Sequence, residues 1–462
     1  MLFSSISFLY VFLPAVLILY FIVPRKWRNG VLLISSLLFY FFGEPIYVFL
    51  LIISSLSDYF HSLYIESHRG TKGAKIALIT SIIVNLGMLG FFKYADFFLS
   101  SINAAIGTNI PLFGVELPVG ISFFTFQTMS YTIDVYWGKA KAERNLASFA
   151  TFVCLFPQLV AGPIVRYTDI SRELQNRKET LEDIYLGIRR FVIGLGKKIL
   201  IANTIAEFCA HFRESQPSVG FYWLYALAFC IQVYFDFSGY SDMAIGMGRI
   251  FGFRFPENFN YPFISKSISE FWRRWHMTMG GWFRDYIYIP LGGSRCSKGR
   301  WLFNTCVVWA VTGLWHGAAW SFVLWGLFFA VIMVVEKLFL GKYLEKFPNF
   351  LRHMYTMFFF LISMVIFNGD SMGQIFSDLK GCFGGAPLWN TETTYFLKNY
   401  AVVFVLGLIG ATPLCKNLWN KVSTRYKTLS TIAEPAYIFL ILIAVTACLL
   451  SGSLNPFMYF RF

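Results

Sequence analysis

Residues 301–335 read WLFNTCVVWAVTGLWHGAAWSFVLWGLFFAVIMVV, a stretch with one histidine, His316, and no Asp, Glu, Lys or Arg. A helix needs about 20 apolar residues to span a bilayer. This stretch is long enough for a hairpin, 301–317 followed by 318–340, broken where Gly313 and Gly317 flank Trp315 and His316. An ionisable side chain at membrane depth is costly, so His316 is a functional candidate by default. The two glycines allow a second backbone or a ligand to come close. Thr312 sits one turn before His316 and is placed to orient its ring. A neutral imidazole suits general-base work. A buried histidine bonded to a neighbouring helix accounts for the same residues equally well.

The rest of the chain is of the same kind. Of 462 residues, 56% are hydrophobic, 20% aromatic and 14% charged, with mean hydropathy +0.57. Soluble domains carry roughly a quarter charged residues, so a soluble globule, a disordered chain, a collagen-like fibre and a disulfide scaffold are excluded. The expected class is an all-α polytopic integral membrane protein. Clear spans are 2–23, 45–64, 76–99, 187–208, 221–251, 318–340, 351–367 and 432–451. Weaker ones are 31–43, 116–137, 147–164, 301–317 and 399–414, giving about 11–12 crossings with re-entrant and amphipathic pieces. Short, broken segments persist in lipid only where they pack on protein or line a cavity. Residues 166–186 are polar and of mixed sign, a solvated connector or an amphipathic helix.

Net charge is +14. The basic residues gather in loops at 24–30, 66–75, 138–146, 166–198, 266–300, 337–352 and 416–427. The positive-inside rule places these loops in the cytoplasm, and no nucleic-acid partner is expected. The trace starts outside, and residues 452–462 end on the outer side. Leu2–Val23, followed by the basic Pro24-Arg25-Lys26-Trp27-Arg28, is a retained first helix. The eight cysteines lack metal-ligand spacing, so no metal is expected.

Three further segments carry chemistry. Trp272, Trp275, His276 and Met279 share a face if 271–285 is helical, with Arg273 and Arg274 beside it and Arg284 and Asp285 further on. That face suits an anionic cofactor, or headgroups with tryptophan anchors. Asp236 and Asp242 lie in the apolar run 235–242, either to bind a cation or to pair with arginines. The C-terminus, Asn455-Pro456-Phe457-Met458-Tyr459-Phe460-Arg461-Phe462, is an aromatic anchor on composition alone.

Taken together, W-x-x-W-H…W-F-R-D-Y-I-Y-I-P-L-G-G (272–293) and G-L-W-H-G (313–317) resemble the membrane-bound O-acyltransferases, nearest to the bacterial alginate O-acetyltransferase branch. Gln127 within 126–131, Val160-Ala161-Gly162-Pro163 and 235–247 extend the resemblance. It departs at Thr278-Met279-Gly280, where such enzymes commonly carry Ser-Leu-Ser. The resemblance implies a helical ring with a thinned centre and a central tunnel, His316 as the catalytic histidine and His276 as the auxiliary one. It implies a donor site at Trp272, Arg273, Arg274, Trp275, Arg284 and Asp285. Thr312, Trp315, Trp320, Asp236, Asp242 and Gln127 fall to tunnel or structural roles. Phe457, Tyr459 and Phe462 resemble an F-x-Y-x-x-F acyl-transfer motif, so that 1–430 is a catalytic core and 431–462 a last helix with a fused tail.

The function implied is O-acylation from a cytoplasmic thioester, acetyl-CoA or an acyl carrier protein, with no tightly bound cofactor. The acyl group passes through Tyr459 to an outer-face acetyltransferase partner and a polysaccharide acceptor, at the bacterial plasma membrane. Acetyl is favoured over D-alanyl transfer to teichoic acid. A transporter or flippase, built on Asp236 and Asp242, is the other class, and the lack of an internal repeat counts against it. A non-catalytic scaffold is the third.

Overall fold

The computed structural model describes residues 2–452. Every regular element among them is helical. Seven of these helices are long and apolar enough to cross a membrane: Tyr47–Ser67, Lys72–Ile106, Val219–Ile250, Trp320–Leu344, Asn349–Phe367, Thr391–Gly410 and Lys427–Leu450. Their outward faces carry large apolar side chains such as Ile83, Val402 and Phe439, a surface that only lipid solvates well. The chain is an all-α polytopic membrane protein.

Several stretches expected to span are interrupted for visible reasons. The first run has a π-helical turn, Phe8–Phe12, before Leu13–Ile22, which has Pro14 in its first turn. Residues 187–208 contain Arg189, Arg190, Lys197 and Lys198, and form a π-helical segment at Lys197–Asn203. Within 147–164, helix Leu146–Cys154 has 9 residues, about 14 Å at 1.5 Å per residue, too short to cross. Ile121–Trp137 is buried continuously from Ile121 to Val135, so protein surrounds it. In contrast, the weaker stretch 399–414 belongs to a full span, Thr391–Gly410. The mixed-sign connector contains an amphipathic helix, Tyr167–Gln175, which buries Tyr167, Ile170 and Leu174.

The chain divides into two compact units. The first takes in residues up to Phe191 together with Met243–Pro256. Its helices are joined by buried polar contacts: Asp58 accepts from Ser81 Oγ at 2.6 Å and Asn85 Nδ2 at 2.8 Å, and Thr128 Oγ1 donates to Asn85 Oδ1 at 3.2 Å. Such bonds replace the hydrophobic drive that lipid cannot supply between helices. Gln127 belongs here, its amide donating to the Phe152 carbonyl at 2.8 Å.

The second unit comprises Val192–Asp242 and the residues from Glu257 onward. At its centre is the expected hairpin, Lys298–His316 and Trp320–Val335. Two glycines set its spacing. A Cβ on Gly313 would lie 2.2 Å from the Phe322 carbonyl oxygen, and one on Gly326 would lie 2.2 Å from that of Trp309. Only glycine fits at either position. The first helix stops at His316 because Gly317 is extended (φ −173°, ψ 157°). A dense aromatic core, including Trp275, Trp309, Trp325, Phe329 and Phe360, packs around the hairpin. Gly326→Ala is expected to destabilise the hairpin by about 1–3 kcal/mol, measured as a lower melting temperature and reduced membrane accumulation.

Candidate active site

The helix expected across 271–285 is broken at its histidine. Ile268–Trp272 ends, Arg273–His276 turns, and Met277–Phe283 restarts the helix. His276 sits at φ 43°, ψ 53°, a left-handed conformation that costs a non-glycine residue about 1–2 kcal/mol. Asn258 offsets that cost. Its backbone carbonyl accepts from Met277 N at 2.9 Å, and its Oδ1 accepts from Thr278 Oγ1 at 2.9 Å and lies 3.1 Å from His276 Nδ1. An amide oxygen only accepts, so this contact keeps the proton on Nδ1 and leaves Nε2 unprotonated. Asn258 Nδ2 in turn donates to Ser241 Oγ at 3.0 Å. Burial first, and the neighbouring His316 second, hold the His276 imidazole well below the usual histidine range.

The start of the short helix Ile268–Trp272 is anchored from the Trp320–Leu344 span. Glu336 accepts from Ile268 N at 2.8 Å and Ser269 N at 2.9 Å, a carboxylate at a helix N-terminus. The Ser267 hydroxyl accepts from Glu270 N at 3.0 Å. These bonds hold Trp272 at a junction. On one side lies a cavity of about 1210 Å³, lined by Trp272, Arg273, His276, Met279, Arg284 and Thr312 among others. On the other is a cavity of about 30 Å³, lined by Trp272, Trp275, Asp236, His316, Trp325 and Phe367 among others. His316 is enclosed by rings: Trp315 and Trp325 both lie 5.1 Å away and Phe367 lies 5.5 Å away, all edge-on.

The structure therefore gathers Trp272, Arg273, Arg284, His276 and Thr312 at the larger cavity and brings Trp275, Asp236 and His316 to the smaller one. Trp315 touches both histidine rings. Arg274, Asp285, Trp320 and Asp242 lie off the cavities, and Thr312 and Asp236 are engaged by other partners. Arg274 turns to Glu270, one helical turn back, at 3.0 Å. Asp285 accepts from Arg284 at 2.7 Å. Thr312 donates its hydroxyl hydrogen to the Val308 carbonyl at 2.7 Å, so it cannot donate to the His316 ring. Trp320 is 56% exposed and lines neither cavity. Asp236 pairs with Lys198 at 2.6 Å and Asp242 with Lys197 at 2.6 Å, lysines where arginines were expected. Phe457, Tyr459 and Phe462 lie outside the described residues. Among the described residues, no three His, Cys, Asp or Glu side chains come together as a metal site.

Sequence reasoning missed several contributors. Lys337, Lys342 and Arg352 line the larger cavity, and with Arg273 and Arg284 make five cations against Glu270, Glu336 and Glu345. The excess favours an anionic ligand. Their clustering just after an apolar span was the available signal. Asn258 had a weaker one, an amide pair with Asn260 directly after a long apolar helix.

The profile of the membrane-bound O-acyltransferase family matches residues 139–375. A probable alginate O-acetylase of Pseudomonas putida is 37% identical, with all of both chains covered. A peptidoglycan O-acetyltransferase of Helicobacter pylori is 33% identical over 83% of this chain and 80% of its own. A teichoic acid D-alanyltransferase of Bacillus subtilis is 32% identical over 48% of this chain and 59% of its own.

Because the fold depresses the His276 pKa, it favours the neutral ring. That contribution is fully present above about pH 6.5, the ordinary histidine value, and is lost as pH falls below it. The melting temperature is expected to drop between neutral and mildly acidic pH, and less steeply in His276→Gln. Asn258→Ala is expected to cost about 1–3 kcal/mol at neutral pH, read in the same melting experiment.

Proposed function

The chain belongs to the membrane-bound O-acyltransferase family, and on that premise we propose that it moves an acetyl group from a cytoplasmic thioester across the membrane, for O-acetylation of an exported or cell-envelope polysaccharide. The observation that carries this reading is the two-cavity junction. His276 lines a cation-rich cavity of about 1210 Å³, and Trp272 stands in the wall of both that cavity and the one that His316 lines.

In this reading the donor, acetyl-CoA or an acyl carrier thioester, sets its phosphates among Arg273, Arg284, Lys337, Lys342 and Arg352. Its acyl end reaches Trp272. His316 takes the proton of the attacking hydroxyl, which is that of Tyr459. Leaving-group chemistry supports the order of transfers. A thiol ionises near pH 8.5 and a phenol near 10, and a sugar hydroxyl lies higher. Thioester, phenyl ester and sugar ester thus descend in transfer potential. A covalent relay divides one difficult transfer into easier ones. Residues 431–462 serve as a tail fused to a core of 1–430. The basic loops lie on the cytoplasmic face of the plasma membrane and the tail on the outer side, where an acetyltransferase partner collects the acyl group. Donor and acceptor thus reach His316 from opposite sides.

Acetyl is preferred to D-alanyl for a specific reason. Relatives named for O-acetylation match over 80–100% of the chain, whereas the Bacillus subtilis D-alanyltransferase matches over 48%.

His316→Ala is expected to abolish polymer acetylation while the protein still accumulates in the membrane; retained acetylation removes His316 as the base. Mass spectrometry of the C-terminal peptide from cells fed labelled acetate is expected to find the label on Tyr459. Tyr459→Phe should abolish transfer, and unchanged acetylation in that variant removes the tail from the mechanism. Charge reversal at Lys337 and Lys342 together is expected to cut the acetylation rate about ten-fold or more at limiting donor and less at saturation.

A further inference from the structure

Two tryptophans beside His316 have an unusual feature. The indole nitrogens of Trp272 and Trp325 are buried and have no hydrogen-bond partner. An indole N–H is a donor only, and a buried one ordinarily finds an acceptor. Leaving it unmet is costly, so each such group calls for an explanation. Packing does not supply one, since phenylalanine would fill an aromatic site without the polar atom.

Both residues line the same cavity as His316. Their rings meet edge to face with centroids 5.6 Å apart, and Trp325 lies 5.1 Å from the His316 ring. The cavity measures about 30 Å³, which is the size of one oxygen-centred group such as a water. Most of its remaining wall is apolar: Val233, Phe237, Phe360, Met364 and Phe367. The others are Trp275 and Asp236, whose charge Lys198 balances at 2.6 Å. A developing negative charge there would lie beside two indoles with unmet N–H groups and a compensated ion pair, in surroundings of low dielectric.

We propose that Trp272 and Trp325 form the oxyanion hole of this acyltransferase, holding the acyl carbonyl oxygen through their indole N–H groups. The assignment rests on His316 being the base. The hydroxyl oxygen of the acceptor bonds to the acyl carbon while the His316 imidazole takes its proton. The C=O electron pair moves onto oxygen, and the two N–H groups stabilise that oxyanion. The pair then returns, the C–S bond breaks, and the sulfur leaves as a thiol carrying the proton from the imidazolium. One thioester and one alcohol give one ester and one thiol.

The test replaces the N–H and keeps the ring. In the full-length chain, Trp325 and, separately, Trp272 are exchanged for benzothienylalanine, in which sulfur stands where the N–H was. The readouts are labelled-acetate incorporation into polymer at equal membrane abundance and the melting temperature of the purified protein. Each exchange is expected to lower the rate about 10²-fold with little change in melting, since loss of one oxyanion donor acts on turnover. Trp325→Phe is expected to lose activity similarly. A benzothienyl variant working within about two-fold of wild type overturns the oxyanion hole. If His316→Ala is inactive while the benzothienyl variants are active, the base assignment stands and the hole falls. Activity in His316→Ala overturns the reading beneath both.

Discussion

The constraint on which the site depends is the close crossing of two helix backbones at Gly313 and Gly326. Lys298–His316 and Trp320–Val335 touch so closely that a single added methyl at either glycine would strike a carbonyl oxygen at 2.2 Å. Lipid gives helices no hydrophobic reason to associate, so small residues that permit close packing supply the attraction instead. That crossing fixes where the first helix ends and where the second begins. The helix end is His316, and one turn into the partner helix stands Trp325, 5.1 Å from its ring. A larger residue at either glycine would separate the histidine from the indole.

The buried acids, lysines and histidines of the second unit follow one rule: each is paired or lines a cavity. Lys198 and Asp236 are 2% and 3% exposed at the side chain and only 2.6 Å apart. Removing one partner of such a pair costs about 3–5 kcal/mol, because the other charge is left buried. Neither residue is a cheap way to fill space, which fits the position of Asp236 on the wall shared with His316. The π-helical segments fall in the same places. Lys197–Asn203 carries Lys198, Arg284–Tyr288 starts at a cavity cation, and Glu336–Leu340 starts at the carboxylate that anchors the Trp272 helix. A widened turn, common at functional sites, re-aims these side chains without ending the helix.

The legible part of this protein was what hydropathy and single anomalous residues report. A lone histidine among apolar residues singled out His316, which is buried on the smaller cavity, the short and broken spans did appear, and the glycines beside it do mark close contact. What sequence could not reveal depends on backbone outside the regular helix. Periodicity put Trp272, Trp275, His276 and Met279 on one helical face. The left-handed His276 instead divides them between two cavities, because Asn258 supplies from outside the segment the bonds that make such a turn stable. Arg274 and Arg273 look equivalent in sequence, yet Arg274 meets Glu270 at i−4 and Arg273 stays on the cavity. The cations at 337, 342 and 352 are distant in sequence from the motif and line its cavity only once the helices are packed.

The two histidines are not interchangeable, because their surroundings differ. His276 is fully buried, fixed in one tautomer by Asn258 and held neutral by burial and by its neighbour. A ring locked in this way can accept a hydrogen bond but is poorly suited to carry a charge through a catalytic cycle. His316 sits at a helix C-terminus, where the carbonyl end of the dipole favours a transient imidazolium, and it shares its cavity with the Asp236 carboxylate. A base must gain a positive charge in the transition state, and the helix C-terminus at His316 carries the carbonyl dipoles that favour one. The proposed division of labour, an orienting His276 and a proton-accepting His316, is the one these surroundings support.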